Sequence, residues 1–454
     1  MKALLITYHF PPMLGCCSLR AGAVARALAA KGWECHIVTT AISRGHSVYT
    51  LDPQTQPAEL SGHVHAVTEG SVGRMVERLR KSRSAARPSS ASLPEPGRFR
   101  ASSRLTEFLR AAAFPDSKVS WIPRALGRVR SLLKLQRFDL IYSFGYPWSC
   151  HLVGYAAQRL SRLPWVADYA DPWTLNPQVH DFPNWRKRLD FQVESRLLRR
   201  ASAVVVATPE SRDFLGGLFG AEVARRTHVA RVAQFSSGEY LSPCALRPAH
   251  FQIAFTGLLH PSRPPYAFYE AAREIAGRAE LRVALAGLLD GHFQDDARRL
   301  GLEGVMRYVG RLGRRETIEL QQTSHVLLSF GWAGGLQVPC KIYEYFAARR
   351  PVLHIAGDAR DPAAALVLKH RRGIVVPNEP QAIREALGTL YDLWRAGKLD
   401  TAFDLSSLPE FCLPRSLEGL EEAFCDALQN PRQAAKFPGA HSLAAEGRFL
   451  SDKE

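Results

Sequence analysis

Apolar runs alternate with amphipathic segments along most of the chain. "ALLITY" (3–8) and "CHIVTT" (35–40) have the length and composition of buried strands, and "SLRAGAVARALAAKG" (18–32) has the spacing of a helix that ends at a glycine. The alternation continues through apolar runs at 138–144, 164–173 and 201–209. Strands that alternate with helices in this way predict parallel βαβ units.

The pattern restarts after a polar break near 236–250, beginning with "FQIAFTGLL". The sequence therefore predicts an α/β fold with two doubly wound, Rossmann-like domains, at 1–245 and 246–400. A C-terminal helix and tail at 401–454 follow, and the helix is expected to pack back toward the first domain. Ligands of doubly wound sheets bind beyond the carboxyl ends of the strands, so two facing domains predict a binding cleft.

The composition is that of an ordinary globular protein. Of the 454 residues, 46% are apolar and 22% are charged, which is ample for two hydrophobic cores. There is no apolar run of about 18 residues and no signal-peptide pattern, so a cytoplasmic location is expected. The eight cysteines form no CxxC pair and no cluster with histidine, so neither a disulfide framework nor a metal site is expected.

The formal charge of +16 predicts attraction to phosphate-bearing partners. Nine basic and two acidic residues lie between 74 and 104, and the Ser-, Pro- and Arg-rich part at 81–104 is typical of a surface loop. This stretch is either a solvated linker or a contact for an anionic membrane surface. Nucleic acid is not an expected partner, because no nucleic-acid-binding motif accompanies the charge.

One lysine stands where a helix would disfavour it. In "VPCKIYEYFAARRPVL" (338–353), Pro339 suits the start of a helix, which places Lys341 in the first turn, at the positive end of the helix dipole. Glu344, three residues later, lies on the same helical face. Either the two residues bind an anionic ligand at the helix N-terminus, or they form a capping interaction or a surface ion pair.

Five strings in order along the chain resemble glycosyltransferase family 4, whose members have the GT-B fold. The resemblance runs from residue 3 to about 395 and is closest to the bacterial polysaccharide biosynthesis branch. The strings are "YHFPPMLGCCSLR" (8–20), "PDSKVSW" (115–121), "ADYADPWTLNP" (167–177), "GLLHPSRPP" (257–265) and "VPCKIYEYFAARRPVL" (338–353). The family fold agrees with the two Rossmann-like domains predicted above.

The resemblance implies a donor site for a nucleotide-diphosphate sugar. Lys341 would then neutralise the diphosphate at the helix N-terminus, and Glu344 would accept hydrogen bonds from the ribose. Arg263, after the strand at 251–259, is the second candidate for a phosphate contact, although a lone loop arginine can equally be solvated. The residues that the resemblance assigns to donor binding are Gly15, Cys16, Gly257, Arg263, Val338, Lys341 and Glu344.

The resemblance also implies catalytic and acceptor-side residues. Asp171, Arg263 and Lys341 are the catalytic candidates, and Arg20 and Asp168 are the acceptor-side candidates. Asp171 could orient or deprotonate an acceptor hydroxyl, or it could cap the turn before Pro172. Arg20 could meet an anionic ligand or be merely exposed.

Four positions depart from the family pattern. Leu336 stands where many members have a glutamate that touches the donor sugar, and Ala170 stands where many have a histidine. Leu258 replaces an arginine, and Cys16 replaces the second of two glycines. His151 is expected to be a helix-surface or core residue. Leu336 and Ala170 keep a non-catalytic binding or scaffold protein open as an alternative.

The expected function is that of a retaining glycosyltransferase, a transferase that requires neither a metal ion nor a cofactor. It would move a sugar from a nucleotide-diphosphate donor to a glycan or lipid-linked acceptor hydroxyl in bacterial surface polysaccharide assembly. It would act in the cytoplasm, either free or as a peripheral protein of the inner membrane face. A nucleotide-sugar epimerase of the same fold is the second alternative.

Overall fold

The structure of the protein is a computed structural model. The described residues are 1–41, 51–55, 57–70, 111–170, 172–174, 176, 179, 182–231, 238–240, 247–259, 263–277, 280–289, 291–413 and 415–430. The predicted basic surface loop at 81–104 and the candidate Asp171 lie outside these residues.

The first sheet has seven parallel strands in the order β3-β2-β1-β4-β5-β6-β7. The order reverses between β1 and β4, which is the switch point of a doubly wound sheet. The strands are β1 (Lys2–Thr7), β2 (Glu34–Thr40), β3 (Val64–Val67), β4 (Leu140–Gly145), β5 (Trp165–Tyr169), β6 (Ala203–Val206) and β7 (Thr227–Val229).

Six helices connect or follow these strands in the described residues. They are α1 (Cys16–Ala30), α2 (Ile122–Leu135), α3 (Ser149–Ser161), α4 (Asn184–Arg200), α5 (Pro209–Phe219) and α6 (Ala221–Arg225). Short 3-10 helices span Pro53–Thr55, Ala58–His63 and Val119–Trp121. β1, β4 and β5 are buried on both faces, which explains their uninterrupted apolar runs.

The second sheet has six parallel strands in the order β10-β9-β8-β11-β12-β13, with its switch point between β8 and β11. Its strands are β8 (Phe251–Leu259), β9 (Leu281–Leu289), β10 (Met306–Gly310), β11 (Val326–Phe330), β12 (Val352–Ala356) and β13 (Gly373–Pro377). Its helices are α7 (Tyr266–Ala276), α8 (Gly291–Arg299), α9 (Arg314–Thr323), α10 (Cys340–Ala347), α11 (Pro362–Lys369) and α12 (Pro380–Arg395). Two parallel α/β sheets confirm the predicted fold class.

The chain continues past α12 through short 3-10 helices at Pro409–Phe411 and Arg415–Leu417 to α13 (Glu418–Gln429). α13 packs against β5, β6 and β7 of the first sheet. Its buried side chains Leu420 and Phe424 join the hydrophobic core that α1 also covers. The exact boundary between the domains stays a prediction, because residues 241–246 lie outside the described ones.

Each sheet has a hydrophobic core on both faces. In the first domain, one core lies under α2 and α3 and the other under α1 and α13. In the second, one core lies under α7 and α12 and the other under α10 and α11. Among the described residues, no helix combines the length and apolar character needed to cross a membrane.

Candidate functional site

Helix α10 begins beyond the carboxyl end of β11, with Pro339 as its N-cap residue. Lys341 lies in the first turn, and its ammonium donates to Oε2 of Glu344 over 2.7 Å. Lys341 is 29% exposed, whereas Glu344 is only 1% exposed. The two residues therefore form an ion pair, but not the exposed surface pair considered from the sequence.

The Glu344 carboxylate is enclosed by hydrogen-bond donors and cations. Arg314 Nη1 lies 3.1 Å from Oε1 of Glu344, and Gln321 Nε2 donates to Oε2 over 3.1 Å. Burial alone would raise the pKa of Glu344, but the charges of Lys341 and Arg314 and the hydrogen bonds from Lys341 and Gln321 lower it to about 2. Glu344 is therefore ionised at neutral pH.

Three of the groups around Glu344 were missed by the sequence reasoning. Arg314 and Gln321 both belong to α9, and the Tyr240 hydroxyl lies 3.5 Å from Oε2 of Glu344. Arg314 also donates to Glu239 over 2.8 Å. No family string covers these residues, and only their convergence in the fold reveals them.

Arg263 lies at the switch point of the second sheet. Its Nη1 donates to the carbonyl oxygen of Phe330 at the end of β11 over 3.0 Å, and its Nη2 donates to that of Leu258 in β8 over 3.2 Å. Its guanidinium stacks 3.9 Å from the ring centroid of Trp332. Burial lowers the pKa of Arg263 to about 10, which leaves it charged at neutral pH.

Gly257 lies next to both cations, Arg263 and Lys341. It precedes Leu258, the residue whose carbonyl accepts from Arg263, and a Cβ built on Gly257 would lie 3.9 Å from Cγ of Lys341. Its φ of +156° is also one that side-chain-bearing residues rarely adopt. The structure thus brings together Gly257, Arg263 and Lys341, which the sequence spreads over 85 positions.

The loop that holds Trp332 is fixed from the neighbouring β12 loop. The backbone N–H of Gly334 donates to Asp358 over 2.6 Å. Asp361 accepts from His354 and from the N–H of Gly357, each over 3.0 Å. These contacts hold the loop after β11 in place and so position Trp332 beneath the Arg263 guanidinium.

The two domains touch at the start of α10. The carbonyl oxygen of Leu336 accepts from the hydroxyls of Thr208 (2.9 Å) and Ser211 (3.3 Å) of the first domain. The thiols of Cys16 and Cys340 share a hydrogen bond which, together with burial, raises the pKa of Cys340 well above its usual value. Leu336, which stands where many family members have a glutamate, thus contacts the first domain through its backbone carbonyl.

Gly15 is the N-cap residue of α1, with a φ of +150° and open space where a Cβ would lie. That space permits close approach of a ligand to the backbone at Gly15. Cys16, the next residue, is exposed. Val338 is buried in the core beneath α10. The donor-binding roles of these three residues stay predictions.

Arg20 and Asp168 form a sealed ion pair with no exposed side-chain surface. Arg20 donates to both carboxylate oxygens of Asp168 over 3.0 and 3.3 Å, and also to the carbonyls of Ala230 and Arg231. The Tyr142 hydroxyl donates to Asp168 over 2.7 Å. Arg20 is therefore not the exposed residue that the sequence left open, and an acceptor role for this pair, still a prediction, would require it to open.

The other positions singled out from the sequence have simpler environments. Ala170 is buried at the end of β5, where its N–H donates to the carbonyl of Gly145. His151 is fully buried, and burial lowers its pKa to about 3, so it is a neutral core residue.

Residues 17–233 match the family model described as "Glycosyl transferase 4-like domain". This range covers α1 and strands β2 to β7, which is most of the first domain. No curated protein matches the sequence.

Solved structures with the same fold cover nearly the whole chain. HepE of Anabaena in complex with UDP and glucose is 16% identical, with a TM-score of 0.62 over 94% of this chain and 99% of that one. Sucrose-phosphate synthase of Thermosynechococcus elongatus is 14% identical, with a TM-score of 0.61 over 94% of this chain and 97% of that one. A UDP-N-acetylglucosamine 2-epimerase is 14% identical, with a TM-score of 0.54 over 97% of this chain and 99% of that one. The chain thus carries a glycosyl transferase 4-like domain at 17–233, and nearly its whole length has the GT-B fold of these solved structures.

Proposed function

We propose that the protein is a retaining glycosyltransferase that moves a sugar from a nucleotide-diphosphate donor to an acceptor hydroxyl. The observation that carries this proposal is the convergence of Lys341 and Arg263 at the end of β8, beside the N-terminus of α10. Two cations and a helix N-terminus together favour a diphosphate. The complex of HepE with UDP and glucose supports this choice of donor class.

In the proposed reaction, the bond between the sugar and the diphosphate breaks while the acceptor hydroxyl attacks from the same side. Negative charge grows on the diphosphate as it leaves, and Lys341 and Arg263 stabilise that charge without a metal ion. Glu344, ionised and held by Arg314 and Gln321, is the proposed ribose contact. Asp171, the proposed group for the acceptor hydroxyl, lies outside the described residues.

The experiment that tests the proposal is a transfer assay with a panel of nucleotide-diphosphate sugars and glycan or lipid-linked acceptors. Release of nucleoside diphosphate that depends on the acceptor, with the anomeric configuration of the donor kept in the product, is the expected result. Product of inverted configuration would overturn the retaining mechanism. Nucleotide binding without any release would favour the non-catalytic alternative raised by Leu336 and Ala170.

An epimerase is the second candidate, favoured by the likeness to UDP-N-acetylglucosamine 2-epimerase. Its TM-score of 0.54 is lower than the 0.62 for the HepE complex. An epimerase would release nucleotide or an altered sugar with no acceptor present, so the same assay without acceptor separates the two functions.

The acceptor is proposed to be part of a surface polysaccharide or a lipid-linked glycan, reached at the cytoplasmic face of the membrane. The charge of +16 and the basic stretch at 74–104 support this location. Each basic residue near an anionic surface adds about 1 kcal/mol of attraction. Salt-sensitive co-sedimentation with anionic vesicles is expected, and equal binding to neutral vesicles would contradict it.

A further inference from the structure

A group of imidazoles and one carboxylate lies at the amino ends of β2 and β3, the edge of the first sheet opposite the strand ends that carry the cleft. Glu34 begins β2, His36 follows it on the same face, and His63 immediately precedes β3. Oε1 of Glu34 lies 2.9 Å from Nε2 of His36, which in turn lies 3.2 Å from Nδ1 of His63. No sequence motif indicates this group, because Glu34 and His36 lie far from His63 in the chain.

These spacings match those of metal ligands. Zinc bound tetrahedrally to nitrogen and oxygen at about 2.0–2.1 Å has ligand atoms about 3.3 Å apart. The ligand atoms of Glu34, His36 and His63 all lie within 4.8 Å of one another. We propose that Glu34, His36 and His63 bind a divalent transition metal of the zinc type, at a site separate from the donor cleft.

The surroundings supply a fourth ligand and a favourable field. Nε2 of Gln136 lies 3.0 Å from Nε2 of His36, and its Oε1 accepts from the Lys2 ammonium over 3.3 Å. Once Lys2 has turned away, rotating this amide by 180° would bring its oxygen toward the metal position. Water is the other candidate for the fourth position. Gln136 is also the C-cap residue of α2, and the negative end of a helix dipole favours a cation.

Two basic side chains, Lys2 and Arg128, disfavour metal binding and have to move before a metal can bind. Lys2 donates to Oε1 of Glu34 over 2.9 Å, but its half-exposed side chain can rotate into solvent. Nη2 of Arg128 lies 2.7 Å from Nδ1 of His65, which must accept because a guanidinium only donates. His65 therefore carries its proton on Nε2 and donates to Nδ1 of His36 over 3.0 Å.

This chain of hydrogen bonds leaves the proton of His36 on Nε2, the atom that would bind the metal. Metal binding requires the His36 proton to move from Nε2 to Nδ1. There it can be donated to Nε2 of His65, provided that Arg128 no longer donates to Nδ1 of His65. Arg128 and Lys2 thus lower the metal affinity, whereas Glu34, His36 and His63 raise it. Variants of the two groups should shift the affinity in opposite directions.

The location assigns the metal a structural role. Among the described strands, β3 is at the edge of the sheet and pairs with β2 alone. A metal shared by His36 and His63 would close a loop of 27 residues and hold the amino end of β3 against β2. It would stabilise the edge of the first domain without touching donor or acceptor.

The test is titration of the full-length, chelator-treated protein with Zn²⁺, followed by calorimetry and by thermal unfolding. One equivalent should bind to the wild type and raise its Tm. Glu34→Gln and His63→Ala should weaken binding at least tenfold, Arg128→Ala and Lys2→Ala should tighten it, and His250→Ala, a histidine outside the group, should change nothing. Circular dichroism checks that each variant is folded.

The visible spectrum of bound Co²⁺ distinguishes metal binding at this site from binding to the cysteines. Co²⁺ bound at Glu34, His36 and His63 should give visible bands of a four-coordinate site without a thiolate charge-transfer band. A thiolate band, no stoichiometric binding by the wild type, or wild-type affinity in folded Glu34→Gln and His63→Ala would each overturn the proposal.

Discussion

Each domain holds an acidic and a basic side chain near the end of a central strand or the start of a helix, but the two pairs are built differently. Arg20 and Asp168 have no exposed side-chain surface, and four carbonyl or carboxylate oxygens accept from the Arg20 guanidinium. Lys341 is 29% exposed, and the one hydrogen bond seen for its ammonium within the described residues is to Glu344. The first pair is sealed, whereas the second keeps a cation at the surface of the cleft.

This difference determines which charged side chain is available to a ligand. Burial raises the pKa of Asp168, while the Arg20 charge and the Tyr142 hydrogen bond oppose that rise. A pair of this kind positions α1 against β5 and the loop after β7. The pair at α10 has donor capacity left over, since an ammonium has three donors. Only the second pair is ready to bind an anion without rearrangement.

The largest effect should come from breaking the sealed pair. Asp168→Ala leaves the Arg20 charge buried, and loss of one partner from a buried ion pair costs about 3–5 kcal/mol of unfolding free energy. Urea unfolding measures it. The control is Asp213→Ala, which removes an exposed pair with Arg212 and should cost less than about 1 kcal/mol. Wild-type stability of Asp168→Ala with lost transfer would instead favour a direct acceptor role.

Replacing Arg263 should affect turnover next most strongly. Arg263→Ala removes a cation held at the strand ends by Leu258, Phe330 and Trp332, and loss of a group that stabilises developing charge lowers kcat about 10²–10³-fold. KM for the donor should change less. Arg263→Lys keeps the charge without the planar stack and should recover part of kcat. A rise in KM with unchanged kcat would show that Arg263 only binds the donor.

Lys341→Ala should weaken donor binding by about 10–150-fold, because a hydrogen bond to a charged group contributes about 1.5–3 kcal/mol. The helix dipole alone predicts no loss of stability in this variant, because a cation leaves its positive end. The structure changes that expectation, because the buried Glu344 carboxylate would lose its 2.7 Å partner and retain Arg314 and Gln321. A modest loss of stability is therefore expected as well. Lys398→Ala, in the turn after α12, is the matched control for both measurements.

The smallest effect concerns how the stability contributed by Glu344 depends on pH. Its pKa is lowered from 4.5 to about 2 in the folded state, so the unfolded chain binds more protons between these values. The stability that Glu344 contributes is fully present above about pH 4.5 and is lost as the pH falls toward about 2. The difference in unfolding free energy between the wild type and Glu344→Gln should shrink over that window. A difference independent of pH would show that Glu344 is not held ionised by its neighbours.

The fold was predictable because it depends on periodicity that the sequence displays directly. The alternation of apolar runs and helices predicts both sheets, and Pro339 predicts the start of α10. The sealing of Arg20 was not predictable, since its partners Asp168, Ala230 and Arg231 come from distant parts of the chain. Arg314 and Gln321 were missed for the same reason. Local pattern predicts elements, whereas the burial of a charge depends on long-range packing.

The measurement that tests the account most directly compares nucleosides bearing zero, one and two phosphates by calorimetry. UDP, UMP and uridine are suitable probes, chosen because HepE is solved with UDP. If Lys341 and Arg263 hold the diphosphate, affinity of the wild type should rise with each phosphate, and Lys341→Ala should remove most of the gain while leaving uridine binding unchanged. Equal affinity of the wild type for UDP and uridine, or an unchanged phosphate gain in a folded Lys341→Ala variant, would contradict the donor site placed here.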